Sequence, residues 1–251
     1  MSRKASLGAF LSGNPFPNGW TDGLFYREKM RAIHRVAPSE LQGAELQGRG
    51  RVLEVGGGRS GVASLLYPEA DIVTLDIDFE LSKSQPGWER SSFVCGDARS
   101  LPFADDSFDV VTLFDVLEHI EEDNRAAEEA LRVVRPGGAV LVSTPEANWH
   151  YPYYKAMEPY CPHESELMRE WGHVRRGYRD PELAALFGRN AERRATFINP
   201  VTAFFHDIAF SRLGPRRRKI LYALTAPLTA IGYWLHRPST RGTETAFAWR
   251  K

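Results

Sequence analysis

The sequence predicts an α/β protein built on a doubly wound, parallel sheet. Three observations predict it. Apolar, β-branched runs alternate with helix-patterned stretches from Arg51 to Pro145. One of those runs, VLEV, breaks directly into glycine at Gly56. And Gly56, Asp76, Asp97, Phe114 and Thr144 all fall at the C-terminal ends of successive runs, where open α/β sheets hold their ligands.

Residues 1–22 are rich in Gly, Pro, Asn and Ser and read as a draped arm. LFYREKMRAIHRVA follows as a helix over 24–37, with Leu24, Phe25 or Tyr26, Met30, Ile33 and Val36 or Ala37 near one face, and Pro38 ends it. Arm and helix make an N-terminal unit over 1–45. The first main strand is Arg51–Val55, followed by a helix around Val62–Leu66. Strands over Ile72–Asp76, Ser92–Cys95 and Phe108–Phe114 come next, then an acidic helix over Asn124–Val133. RPGG at Arg135–Gly138 reads as a turn, and Ala139–Thr144 as a strand that Pro145 stops.

Beyond Pro145 the pattern changes. Residues 147–180 are aromatic, His-rich and irregular, as expected of a substrate lid. DPELAALFGRN reads as a helix with Asp180 as N-cap and Pro181 at its first position. ERRATFI is a strand. Residues 200–240 are helical and apolar, with Pro227 expected to split the run, and TETAFAWR returns as an antiparallel last strand. The 251 residues are expected to form a single domain.

Composition excludes some classes. Hydrophobic content of 43% and charged content of 25% argue against global disorder. The net charge is zero, but residues 1–125 carry 13 basic and 20 acidic side chains while 126–251 carry 19 and 12. That division argues against nucleic-acid binding over the whole surface and leaves room for a basic C-terminal patch. Two cysteines, Cys95 and Cys161, make no disulfide framework and fit a reducing cytoplasm. MSRKASLGAFLSG has too short an apolar run for a secretory signal.

Gly56, Gly58 and Gly61 match the G-x-G-x-x-G dinucleotide pattern. Asp76, twenty residues after Gly56, can accept both ribose hydroxyls of NAD or of another adenosine cofactor. The surrounding charges separate the two. Glu54 is awkward beside a pyrophosphate but useful beside a cationic amino-acid group. Asp97 can accept from an adenine amino group. Only Arg59 is placed to balance a diphosphate. The electrostatics favour a sulfonium cofactor over NAD.

VLEVGGGRSG, VTLDID, CGDARSLPFADDSFDVVTLFDVLEHI and LRVVRPGGAVLVSTPE run in order over about Arg51–Glu146. On these motifs the sequence resembles the class I S-adenosylmethionine-dependent methyltransferases of small molecules. HVRRGYRDPEL also resembles a segment those proteins carry after the lid. The resemblance implies a Rossmann-like, seven-stranded sheet, mostly parallel with an antiparallel last strand and helices on both faces. It implies S-adenosyl-L-methionine as cofactor. Glu54, Gly56 and Gly58 would line its methionine part, Asp76 would hold its ribose, and Asp97 with Ala98 would meet its adenine, with Phe114 nearby; Gly57 and Ile77 complete the expected cofactor-binding set. One departure is Ser60, which stands where the family carries a third glycine, with Gly61 one place later.

Methyl transfer is an in-line displacement, so alignment in a dry pocket matters most, and an oxygen nucleophile can also need a base. His119, in VLEHI, is a base candidate, although a capping or packing residue is the plainer reading. His150, Tyr151, Tyr153 and Tyr154 directly follow the strand that Pro145 stops; His150 and Tyr151 are candidates too, against the plainer reading of the four as an aromatic lid. His163 and His173 are weaker. Cys161, His163, Glu164 and His173 match no zinc spacing. Glu118, His119, Glu121 and Glu122 could gather on a divalent ion, but solvated acids are the simpler reading, so no metal is expected. Glu121, Glu122, Asp123, Glu128 and Glu129 read as a solvated helix face.

In the 200–240 insertion, Arg216–Lys219 lead into about sixteen apolar residues, fewer than the roughly 20 that span a bilayer. Packing on the domain or on a second copy is the first reading. A helix lying at a membrane surface over 216–237 is the second. The expected activity is methyl transfer from S-adenosylmethionine to a small-molecule or lipid-linked acceptor, oxygen preferred. The protein is expected in the cytoplasm or at the inner face of the membrane, with oligomeric state left open. A non-catalytic cofactor-binding module is the alternative, and an NAD-dependent oxidoreductase a third. Nucleic-acid methylation is disfavoured, because LFDVLEH offers no Asp-Pro-Pro-Tyr element to hold a flipped base.

Overall fold

Seven strands make one sheet in the computed structural model, which describes residues 2–15, 22–41, 49–58, 61–80 and 91–251. Arg59 and Ser60, singled out above, lie outside the described residues, as do Met1 and 16–21 of the expected arm. The described chain starts with a two-stranded ribbon, β1 (Ser2–Arg3) against β2 (Glu40–Leu41), flanking α1 (Leu7–Ser12) and α2 (Asp22–Val36). The main sheet follows: β3 (Arg51–Val55), β4 (Asp71–Asp76), β5 (Ser91–Cys95), β6 (Phe108–Phe114), β7 (Val134–Pro145), β8 (Arg193–Phe197) and β9 (Glu244–Arg250). Its order is β5-β4-β3-β6-β7-β9-β8, and β9 alone runs against its neighbours. The expected mixed, mostly parallel sheet is therefore present.

Alternation along each strand divides the core between the two faces. Val52, Ile72, Val110 and Leu141 pack with α2, α3 (Val62–Leu66) and α7 (Pro200–Ala209). Leu53, Val73, Val111 and Val140 pack with Ala126, Ala127 and Ala130 of α4 (Asp123–Val133) and with Leu183 of α6 (Asp180–Leu186).

Four local expectations need correction. RPGG is not a free turn. It is a bulge inside β7: Val134 pairs with Phe108 and Ala139 with Val110, so residues 135–138 loop out between two paired positions. Asp180 is the first residue of α6 and Arg179 is its cap; the Glu182 carboxylate reaches back to the Arg179 amide at 2.7 Å. The lid is less irregular than expected, because ESELMREW folds as α5 (Glu164–Trp171), capped by the His163 side chain. Finally, Pro227 does not split the insertion: α8 (Pro215–Leu235) runs through it. Pro227 lies on the exposed face of α8, where the carbonyl it leaves without a donor meets water. The opposite face, at Tyr222, Thr229 and Gly232, is buried and holds the helix on α7.

The chain winds outward from β3 to β5, then returns to β6 on the other side of β3. The order reverses between β3 and β6, and the crevice at their C-terminal ends positions the site.

Candidate active site

Gly56 opens the crevice. It adopts φ +64°, and a β-carbon there would come within 2.5 Å of Val116 Cγ2. Its amide donates to the Leu75 carbonyl at 2.7 Å, which ties the turn to β4. Gly57 meets a different limit, since a β-carbon would lie 2.8 Å from Glu54 Cγ and 2.9 Å from Thr74 Cγ2. Only glycine lets the turn cross this closely over β3 and β4.

Glu54 thus lies under the turn. It is buried; Oε1 accepts from the Ala63 amide at 3.0 Å, and Oε2 has no partner among the described residues. Burial pushes its carboxyl up to about 7, against the opposing pull of the Ala63 and Val62 amides and the Lys29 charge.

A cavity of about 560 Å³ lies beyond the strand ends. Gly56, Asp76, Ile77, Asp97, Ala98 and His119 are on its wall. Glu54, Gly57, Gly58 and Phe114 are not, although the Gly58 amide donates to Asp76 Oδ2 at 3.2 Å. Phe114 is turned into the core instead. Ile77 is 74% exposed, a large apolar side chain offered to the cavity at the end of β4. Asp97 is clasped by Arg99, whose Nη2 lies 2.7 Å from Oδ2 and whose Nη1 bridges on to Glu122 at 2.8 Å. This clasp holds the Asp97 carboxyl below its usual range.

A second cavity, of about 340 Å³, adjoins the first at Asp115. Its walls are Phe25, Phe197, Ile198 and Phe210, with Tyr26, Lys29, His206 and Glu244 as polar groups. Asp115 holds φ +54°, a left-handed conformation that Asp tolerates better than most side chains. Its Oδ1 accepts from Ser143 Oγ at 2.6 Å and its Oδ2 from Lys29 Nζ at 2.5 Å. Burial lowers the Lys29 pKa, but the charges of Asp115, Tyr26 and Glu244 outweigh it and the net shift is upward. Burial, then the Asp115 charge, raises the Glu244 carboxyl against the pull of Lys29. Burial pushes the His206 imidazole down to about 3.

The three candidate bases are placed differently from one another. His119 lines the first cavity, its Nδ1 donating to the Gly172 carbonyl at 3.2 Å. His150 is exposed, outside both cavity walls, with Nδ1 3.1 Å from the Asn148 carbonyl. Tyr151 is buried, and its hydroxyl is taken up by Cys161 Sγ at 3.3 Å and the Asp207 carbonyl at 3.2 Å, which ties the segment after β7 to α7. Tyr151, expected as a candidate base, is on neither cavity wall. The solvated acidic face also needs correction: Glu118 is fully buried, and Asp123 is buried against Tyr178 and Arg175.

Lys29, Asp115, His206 and Glu244 were missed. They come from α2, the turn after β6, α7 and the start of β9, so no local spacing joins them. Asp115 carried one usable signal: it directly follows the β6 strand end in LFDV.

Residues 53–142 match the family described as "Methyltransferase domain". The demethylmenaquinone methyltransferase of Renibacterium salmoninarum is 41% identical over 96 residues, 37% of this chain and 40% of that protein. The phthiotriol/phenolphthiotriol dimycocerosates methyltransferase 1 of Mycobacterium ulcerans is 37% identical over 122 residues, 46% and 43% of the two chains. The malonyl-[acyl-carrier protein] O-methyltransferase of Methylococcus capsulatus is 36% identical over 101 residues, 38% and 37%. The chain spans about two fifths of the length of these curated relatives. Among solved structures, the N-methyltransferase NodS of Bradyrhizobium japonicum, in complex with S-adenosyl-L-homocysteine, aligns over 98% of this chain and 96% of its own, with TM-score 0.55 and 14% identity. The [4+2]-cyclase SpnF aligns over 98% and 92% with TM-score 0.55 and 18% identity, a likeness of fold. Residues 53–142, which carry the glycine turn at the switch point of the seven-stranded sheet, are thus similar to a methyltransferase domain.

Proposed function

We propose that this protein transfers the methyl group of S-adenosylmethionine to a small-molecule or lipid-linked acceptor, with oxygen as the favoured nucleophile. The observation that carries the reading is the pair of cavities sharing Asp115. The first takes the cofactor: Asp76 accepts from the ribose hydroxyls, Ile77 and Ala98 pack against the adenine, and Gly56 lets the turn approach the amino-acid end. Glu54 acts from below the turn, holding Ala63 and with it the start of α3. The second cavity takes the acceptor. Its phenylalanine and isoleucine walls exclude water, and Asp115 and Glu244 are the carboxylates within reach of a hydroxyl proton.

Bound S-adenosylmethionine would supply an electrophilic methyl group, and Asp115 or Glu244 would take the proton of the acceptor oxygen, so that the methyl would pass to oxygen while the electron pair of the broken carbon–sulfur bond stayed on sulfur. Relatives carry names that include both an O-methyltransferase and a C-methyltransferase, so the acceptor atom is the finer part of the proposal.

An apolar acceptor also suits α8. Ile220, Leu224, Leu228, Ile231 and Leu235 form an exposed row along it, with Trp234 82% exposed and Arg216, Arg217 and Lys219 exposed at its start. We place this face against an anionic membrane surface. No described helix is long and apolar enough to cross a membrane.

Calorimetric titration with S-adenosylhomocysteine, S-adenosylmethionine and NAD in parallel tests the cofactor. Acceptor screening with methyl-labelled cofactor, with and without liposomes, tests transfer. Cofactor binding without turnover on any acceptor would favour the binding-module alternative.

A further inference from the structure

Glu118 is 0% exposed, and neither of its carboxylate oxygens accepts a hydrogen bond from another described residue. A carboxylate taken out of water with no partner costs several kcal/mol in order of magnitude, so such groups are normally paired or bound to a cation. The side chains beside it are two imidazoles. One donor atom each from Glu118, His119 and His173 lie within 4.8 Å of one another. The two rings meet edge to face, with centroids 4.6 Å apart. His173 Nδ1 is itself buried and unpartnered among the described residues. On His119, the Nδ1 proton is committed to the Gly172 carbonyl at 3.2 Å, which leaves the Nε2 lone pair free. Metal-ligating histidines are commonly oriented this way, with the second nitrogen donating to a backbone carbonyl.

The backbone also fixes the set. Glu118 and His119 are adjacent on the short 3₁₀ turn Leu117–His119, and the Val174 amide donates to the Glu118 carbonyl at 2.9 Å. That bond docks the segment carrying His173 against the turn. Ligand atoms on one metal ion stand about 3 to 4 Å apart, so a closure of at most about 2 Å completes the set.

We propose that Glu118, His119 and His173 form a binding site for a divalent first-row transition-metal ion. Two imidazoles and one carboxylate suit Mn²⁺, Co²⁺ or Zn²⁺ over Ca²⁺. Three protein ligands leave coordination positions open, as in catalytic rather than structural sites. His119 and Val174 are on the wall of the first cavity, with Asp115 at its seam with the second. The open positions therefore face the space where donor and acceptor meet, and an acceptor oxygen is the ligand they would take. This last clause rests on the function proposed above; the binding of the ion does not.

The test is titration of the metal-free full chain with Mn²⁺ and Zn²⁺ by calorimetry, and with Co²⁺ by visible absorption, alongside an S-adenosylhomocysteine titration of the same sample. The expected result is one equivalent of ion, with affinity reduced more than about tenfold in Glu118→Gln and in His173→Asn. Glu118→Gln keeps the side-chain shape, and circular dichroism checks that each variant is folded. Ion binding absent from the folded wild-type protein, or unchanged in both folded variants, would overturn the site. S-adenosylhomocysteine binding without ion binding would leave the proposed function standing and remove the metal site. Ion binding with no nucleoside binding would do the reverse.

Discussion

The Lys29 ammonium lies 2.5 Å from the Asp115 carboxylate, joining α2 to the turn after β6 at the seam of the two cavities. The Lys29 side chain is 13% exposed and that of Asp115 34%. Lys29→Met is expected to leave Asp115 and Glu244 facing each other without a cation. Part of the Asp115 charge is solvated, so the cost should be about 1–2 kcal/mol rather than that of a fully buried pair. A lower melting temperature for K29M, largely recovered in K29M with Asp115→Asn, would support a charge pair. A loss that D115N does not recover would mean that Lys29 acts through packing.

Asp76→Ala should weaken S-adenosylhomocysteine binding by roughly tenfold to a hundredfold, from the loss of charge-assisted hydrogen bonds. The Gly58 amide would lose its acceptor as well, so part of the effect reaches the turn. Arg218 donates to the Ala209 carbonyl between α8 and α7, away from the first cavity, so Arg218→Ala should bind the nucleoside normally. Calorimetry on both variants checks the pair, and unchanged affinity in D76A would sink the placement of the ribose.

Gly57→Ala should both destabilise the protein and weaken the nucleoside. Its new methyl group would meet Glu54 and Thr74 within 3 Å, and both neighbours are buried and cannot retreat. The expected cost is about 1–3 kcal/mol, that of overpacking. Chemical denaturation reads it. A G57A protein as stable as the wild type would show that the turn has room the structure does not give it.

The sheet was legible because its strands bury both faces and so announce themselves as apolar runs bounded by Gly, Pro and Asp. Arg51–Val55 and Phe108–Phe114 match their expected ends, and β9 runs antiparallel as expected. The placement of the crevice residues was legible for the same reason, since Asp76 ends β4 and Gly56 and Asp97 lie just beyond β3 and β5. The wall of the second cavity was not. Lys29 sits on a helix of ordinary amphipathic pattern, Glu244 opens the last strand, and only the fold brings them to Asp115. Glu118 was misread because an acidic run looks solvated in one dimension. The 3₁₀ turn at Leu117–His119 buries Glu118 while leaving Glu121 and Glu122 exposed.

Glu54 carries a pH signature. Its folded pKa of about 7 is above the usual carboxyl value of 4.5. Below the lower value both states are protonated. Between the two, the unfolded chain ionises first, so the folded state binds more protons and stability falls as pH rises. Above about 7 the loss is complete, on the order of 3 kcal/mol. Glu54→Gln, which keeps an oxygen for the Ala63 amide, should therefore be more stable than the wild type at pH 8, with the gap closing towards pH 4.5. Denaturant midpoints at both pH values check this, and a gap independent of pH would contradict the burial argument.

The exposed row on α8 makes the last prediction. Five aliphatic side chains from Ile220 to Leu235 repeat at three- and four-residue spacing, so they share one face, while Tyr222, Thr229 and Gly232 hold the other against the domain. Arg216 and Arg217 lie at one end of that face, with Lys219 exposed beside them on the helix, which suits a surface that is apolar and anionic together. The protein should co-sediment with vesicles containing phosphatidylglycerol, more weakly with phosphatidylcholine alone, and less as salt rises. Arg216→Ala with Arg217→Ala should lower the affinity roughly thirtyfold, at about 1 kcal/mol for each basic residue near the surface. Leu224→Glu with Leu228→Glu should abolish binding while leaving nucleoside affinity intact, because neither leucine touches the first cavity. A wild-type protein that ignores anionic vesicles at low salt and instead forms a dimer, which the two glutamates dissociate, would assign this face to a second copy of the chain.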